Sequence, residues 1–180
     1  FLGFVFLAFM SNYAIAGWLP TYLRKDFGFD AAQAGLAASL SAIALSLCSP
    51  LAGALSDRLG ARKPVLLAGS AVSIACFAIM AFVHDWRVII LAAFLKGAGS
   101  AMTTPVSQML AGEAFAAAGA GIAVGIASTV SQAASAASGP FFGFTLDATG
   151  SFSMLWSMAL GCVVVSMLCL TRVKERAWEK

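Results

Sequence analysis

Apolar residues run along this chain in long blocks, broken by short clusters of charge, glycine and proline. The blocks cover roughly 1–23, 33–54, 64–83, 87–110, 119–145 and 152–171. Each is close to the roughly 20 residues a helix needs to cross the hydrocarbon core of a bilayer. The breaks are short: Arg24 to Asp30, then Asp57 to Lys63, then His84 to Arg87, then the neighbourhoods of Glu113 and Asp147, and finally a charged tail from Arg172. This pattern predicts an all-α membrane protein of six transmembrane helices with short connections.

Composition strengthens that reading. The 180 residues are 61% hydrophobic and only 11% charged, whereas a soluble domain carries about a quarter charged residues. The first block starts at Phe1 and is too long and too uncharged at its start for a signal peptide, so the chain is expected to be part of a longer one. Basic residues are scattered between the blocks without an interleaved aromatic patch, which argues against nucleic acid as a partner. The lipid bilayer accounts for them better. Seven Lys and Arg fall in the second-to-third connection and the tail, against three in the first-to-second and third-to-fourth connections. The positive-inside bias then places the 55–63 loop, the segment near Glu113 and the C-terminus in the cytoplasm, with Trp86 at the outer interface. Short loops and abundant Ala and Gly suit a bacterial inner (plasma) membrane.

The chain carries an internal echo. Pro50, Gly53, Asp57 and Gly60 are matched by Pro140, Gly143, Asp147 and Gly150, each displaced by 90 residues. Residues 1–180 therefore read as a single domain of two units, about 1–90 and 91–180, whose equivalent helices cross the membrane in opposite directions. Inverted three-plus-three repeats of this kind place a transport site at the repeat interface near the membrane midplane.

The run Gly53-Ala54-Leu55-Ser56-Asp57-Arg58-Leu59-Gly60-Ala61-Arg62-Lys63 resembles the signature of the major facilitator superfamily between its second and third, or eighth and ninth, helices; Ala61 replaces one basic residue of the usual form. Locally, Gly53 permits close helix approach, Gly60 a tight turn, and Asp57 an acceptor for Arg58, Arg62 or a facing helix N-terminus. The resemblance covers essentially the whole chain. It implies one half of a secondary transporter, with a second six-helix half of the same transporter as partner, and a gating role for Asp57, Arg58 and Arg62. Gly139, Pro140 and Gly143 resemble a Gly-Pro helix-bend and packing motif of the family's fifth helix. The glycines expected upstream are missing, however, and the run through Asp147 and Gly150 looks more like the eleventh helix. With Ala93 where the N-terminal half usually carries Arg, the C-terminal half is the expected identity.

Candidate binding residues lie within the spans. Lys96 is about nine residues into the fourth block, roughly 14 Å deep at 1.5 Å per residue. A charge there is costly and marks either an anion-recognition group or a structural lysine. The eight acidic residues all lie at other depths, so its expected partner is substrate, backbone carbonyls or the other half. Asn12 and Tyr13 stand near the middle of the first block, as solute ligands or interhelical glue. Thr103, Thr104, Ser107 and Gln108 continue a polar stretch that suits an exit path. Ser128, Ser131, Gln132 and Ser135 share one face of the fifth block and suit packing. Trp18 and Pro20 read as an interface anchor and a helix end.

No cofactor or metal site is expected: Cys48, Cys76, Cys162 and Cys169 lack close Cys or His partners, and His84 is the only histidine. An intramembrane protease would need a histidine or paired carboxylates within the spans, so an enzyme is not expected. The expected function is secondary transport of a small-molecule solute by alternating access, with an organic or inorganic anion favoured by Lys96. A stand-alone six-helix protein with an oligomerising or regulatory role is the alternative.

Overall fold

The computed structural model describes residues 1–114 and 119–173. Its elements are six helices, α1 (Leu2–Phe27), α2 (Ala31–Leu59), α3 (Lys63–Phe82), α4 (Trp86–Ala114), α5 (Ala120–Thr149) and α6 (Phe152–Thr171). All six are long and apolar enough to cross a membrane, so the protein is a multi-pass membrane bundle. The charged tail from 174 onward lies outside the described residues.

Several helices outrun the blocks expected from hydropathy. Helix α1 continues through Arg24, Lys25 and Asp26, and α2 through Asp57 and Arg58. A hydropathy block ends where hydrocarbon ends, whereas a helix continues until its backbone is capped. Glycines supply those caps: Gly28, Gly60 and Gly150 close α1, α2 and α5 in the left-handed region, with φ of 70°, 60° and 65°. At the start of α2, the Gln33 amide donates to Asp30 Oδ1 at 2.7 Å and the Gln33 side chain accepts from the Asp30 amide, a capping box. The expected end of α1 at Pro20 is corrected: the helix runs through Pro20 for another seven residues to Phe27. One missing backbone N–H is tolerated in a membrane helix with packed neighbours.

Packing partners are exchanged along the chain. Helix α1 packs mainly on α5 and α6, α4 packs mainly on α2 and α3, and α3 lies against α6. Glycines set the closest approaches. A Cβ on Gly97 of α4 would run into the Ser41 carbonyl of α2, and one on Gly69 of α3 would sit 2.7 Å from the Gly99 carbonyl of α4. Tyr22, Phe77, Phe152 and Trp156 join α1, α3 and α6 through ring contacts of 5.0 to 6.3 Å. Helices α2 and α5 leave large apolar side chains outward, among them Leu36, Leu47, Leu51 and Phe144, as expected where lipid rather than water is the solvent.

Candidate functional site

The polar centre of the bundle is built on α4. Its Lys96 is 2% exposed, and its ammonium donates to Asn12 Oδ1 of α1 and to Ser100 Oγ at 2.7 Å. Ser100 lies one turn beyond Lys96 on the same helix face, and its hydroxyl also reaches Asn12 Oδ1 at 2.7 Å. The Phe77 ring of α3 lies 5.5 Å from the ammonium. Both oxygens belong to neutral groups. Burying a charge without an ionic partner costs several kcal/mol, which charge-assisted hydrogen bonds and a cation–π contact offset only in part. The Asn12 amide is oriented with its oxygen towards the lysine, because an ammonium only donates.

This arrangement corrects the expectation that Lys96 must look to substrate, backbone carbonyls or another half for its partner. A cavity of about 180 Å³ opens beside it, lined by Phe9, Asn12 and Tyr13 of α1, Ser41 and Leu45 of α2, and Lys96, Ser100 and Thr104 of α4. Lysine, asparagine and hydroxyls give it one cationic, hydrogen-bonding wall, and Phe9, Ile15 and Leu45 an apolar one. The cavity thus sets a cation and hydrogen-bonding groups opposite an apolar wall.

The other predicted residues fall in different places. Tyr13 is on the cavity wall and 36% exposed. Thr103 is buried on a different face of α4, bonded to the carbonyls of Gly99 and Ser100 at 3.4 and 3.2 Å. Ser107 is buried and donates to the Thr104 carbonyl at 2.9 Å, so it is tied to its own helix and stands outside the cavity lining. Ser100, Ser41 and Phe9 are cavity residues that sequence reading missed. For Ser100 the signal was its spacing of four from Lys96.

A second polar cluster surrounds the α2–α3 connection. Arg62 donates from Nε and Nη2 to Glu113 at 3.1 and 2.8 Å, and from Nη1 to Asp57 Oδ1 and Ser56 Oγ, each at 2.5 Å. Glu113 is in the last turn of α4, so one guanidinium ties α2 and α4 together. The hydrogen bonds with Glu113, ahead of those with Asp57 and against the opposing effect of burial, hold the Arg62 pKa above its ordinary value. Lys63 donates to the carbonyls of Thr171 and Val173 at 3.0 and 2.7 Å, capping the end of α6. Arg58 is exposed.

Gly60 makes the tight turn expected of it. The close approach expected at Gly53 is corrected: a Cβ there would meet nothing within 4 Å, because α2 is a peripheral helix and this position faces no described neighbour. Pro140 lies within an uninterrupted α5 and Gly139 has open space around it, whereas Gly143 is covered by the Trp18 ring, 3.2 Å from where a Cβ would stand. Trp18, read as an interface anchor, is therefore a packing group between α1 and α5.

Six membrane-length helices thus surround a buried cation and an adjoining cavity, the arrangement of a membrane-embedded helical bundle with a polar centre. The chain belongs to the Major Facilitator Superfamily, whose sequence profile matches residues 1–180. It is similar to an uncharacterised MFS-type transporter of Pseudomonas aeruginosa strain LESB58, at 33% identity over 96 residues, 52% of this chain and 24% of that protein. A probable vesicular acetylcholine transporter-A of Danio rerio is 30% identical over 153 residues, 84% of this chain and 29% of that protein. The quinolone resistance protein NorA of Staphylococcus aureus strain Mu50 is 29% identical over 101 residues, 56% of this chain and 26% of that protein. The matched stretches span about a quarter of the length of these relatives.

Proposed function

We propose that this chain is one half, the C-terminal one, of a secondary carrier that binds an anionic small molecule against Lys96 and moves it by alternating access. The observation that carries this reading is a buried ammonium whose two oxygen partners are neutral, placed on the wall of a cavity of about 180 Å³. An approaching carboxylate or similar group would exchange with the Asn12 oxygen and gain a charge-assisted bond in low dielectric. Tyr13, Ser41 and Thr104 supply further polar contacts on the same wall. Thr103 and Ser107, both bonded back to α4, hold the helix rather than the solute.

The exchange of packing partners supports reading the chain as two units of about 90 residues, because shifting each helix label by three reproduces the same pairs. The opposed half completes the cavity in this reading. The Asp57–Arg62–Glu113 cluster, with exposed Arg58 beside it, forms a cytoplasmic gate that the other half engages. The basic loop and tail support a C-terminus on the cytoplasmic side of a bacterial inner membrane.

The test is uptake by the full-length protein reconstituted in liposomes. Lys96→Gln is expected to raise the apparent KM for a transported organic anion by about tenfold or more, the scale of one charge-assisted bond, while leaving neutral solutes unaffected. Equal anion kinetics in the two proteins would overturn the reading.

A further inference from the structure

Lys96 faces two spaces. One is the larger cavity; the other is a small pocket of about 10 Å³ on another side, formed where α1, α3, α4 and α6 meet. Asn12, Ser70, Ser73, Lys96, Thr103 and Ser166 give this pocket its polar lining. Its size matches the roughly 10–15 Å³ that one water requires.

The hydrogen-bond inventory says what the pocket accepts. Ser70 donates to the Leu66 carbonyl, Ser73 to Gly69, Thr103 to Gly99 and Ser100, and Ser166 to Val163, at 2.9 to 3.4 Å. Each hydroxyl hydrogen is thereby committed to its own helix, and each oxygen is left as an acceptor. Lys96 has three ammonium hydrogens, of which Asn12 and Ser100 take two. The pocket therefore offers one strong donor and several acceptors around a space one water wide. An anion would face a wall of oxygens, and a metal ion would sit against an ammonium; a water can accept from the ammonium and donate to two of the oxygens.

We infer that this pocket is a binding site for a single resident water, which accepts the third N–H of Lys96 and donates to two of the hydroxyl oxygens of Ser70, Ser73, Thr103 and Ser166. It hydrates the lysine from behind, so that the charge stays satisfied while its other face exchanges partners in the open cavity. The inference stands independently of which solute the protein carries.

Two measurements test it in the full-length protein. A structure at a resolution that shows ordered water is expected to place one water within hydrogen-bond distance of Lys96 Nζ; well-ordered surrounding side chains with no density in the pocket would overturn the site. The second is a thermal-stability cycle on Ser166→Val, which replaces the hydroxyl by a methyl, adds a second methyl on the same carbon and so narrows the pocket. In the wild-type background the variant is expected to lower Tm by several degrees, because the water is expelled and the ammonium loses a partner. In a Lys96→Met background the same change is expected to be neutral or stabilising, since no charge then needs the water. Equal loss of Tm in both backgrounds would reveal a steric clash, and a gain in both a dry cavity; either overturns the inference.

Discussion

Arg62 grips Glu113 with two nitrogens, at 3.1 and 2.8 Å, across 51 positions of sequence. This fork joins the connection between α2 and α3 to the last turn of α4, and the rest of the guanidinium is taken by Asp57 and Ser56. Glu113→Gln keeps the shape and removes the charge. With the Glu113 side chain 27% exposed, the loss is expected to be about 1–2 kcal/mol, read as a lower thermal midpoint of the full-length protein in detergent. An unchanged midpoint would mean that the fork to Glu113 contributes nothing to stability beyond the other partners of Arg62.

Asp57 should behave differently. Its side chain is 64% exposed, so Asp57→Asn is expected to leave protein abundance in the membrane unchanged. Transport by the full-length carrier is expected to fall, because the proposed gate uses that charge. Normal uptake by this variant would remove Asp57 from the gate.

Asn12 occupies the place beside Lys96 that an anionic solute would claim. Asn12→Asp puts a carboxylate there and closes an internal ion pair. The variant is expected to match or exceed the wild-type Tm and to lose anion uptake, since the solute would compete with a tethered charge. Retained uptake would separate Asn12 from solute recognition.

Two glycines give opposite expectations. Gly97→Ala forces a methyl into the Ser41 carbonyl and is expected to cost about 1–3 kcal/mol, read as a drop in Tm. Gly53→Ala meets nothing within 4 Å and is expected to leave Tm unchanged. If Gly53→Ala nevertheless abolishes transport, that glycine serves a surface outside this bundle.

The number, order and approximate ends of the helices were legible in the sequence, because bilayer thickness fixes the length of an apolar block and charge marks its limits. The site was legible residue by residue but not as a contact. Asn12 and Lys96 each stood out as polar groups deep in apolar blocks, yet nothing in one sequence aligns the rotation of two helices so that they meet. Ser100 was within reach of reasoning, being one helical turn from Lys96. Glu113 looked like a loop charge because hydropathy fades before its helix ends. Gly53 and Gly97 are equally glycines in apolar surroundings, and only the position of α2 at the periphery and α4 at the centre decides which one touches a backbone.

The exchanged packing of the helices also sets a timetable for the birth of the molecule. Helix α1 leaves the ribosome before the others here, but its main partners, α5 and α6, emerge last, and α3 likewise waits for α6. Until residues beyond 152 have entered the bilayer, the face of α1 that carries Ser11 lacks the α6 backbone it meets at Ala159. Long-range pairing of this kind folds slowly. A ribosome that stalls between α5 and α6 therefore leaves α1 and α3 each without one of their main partners, although Asn12 can already meet Lys96 and Ser100 of α4.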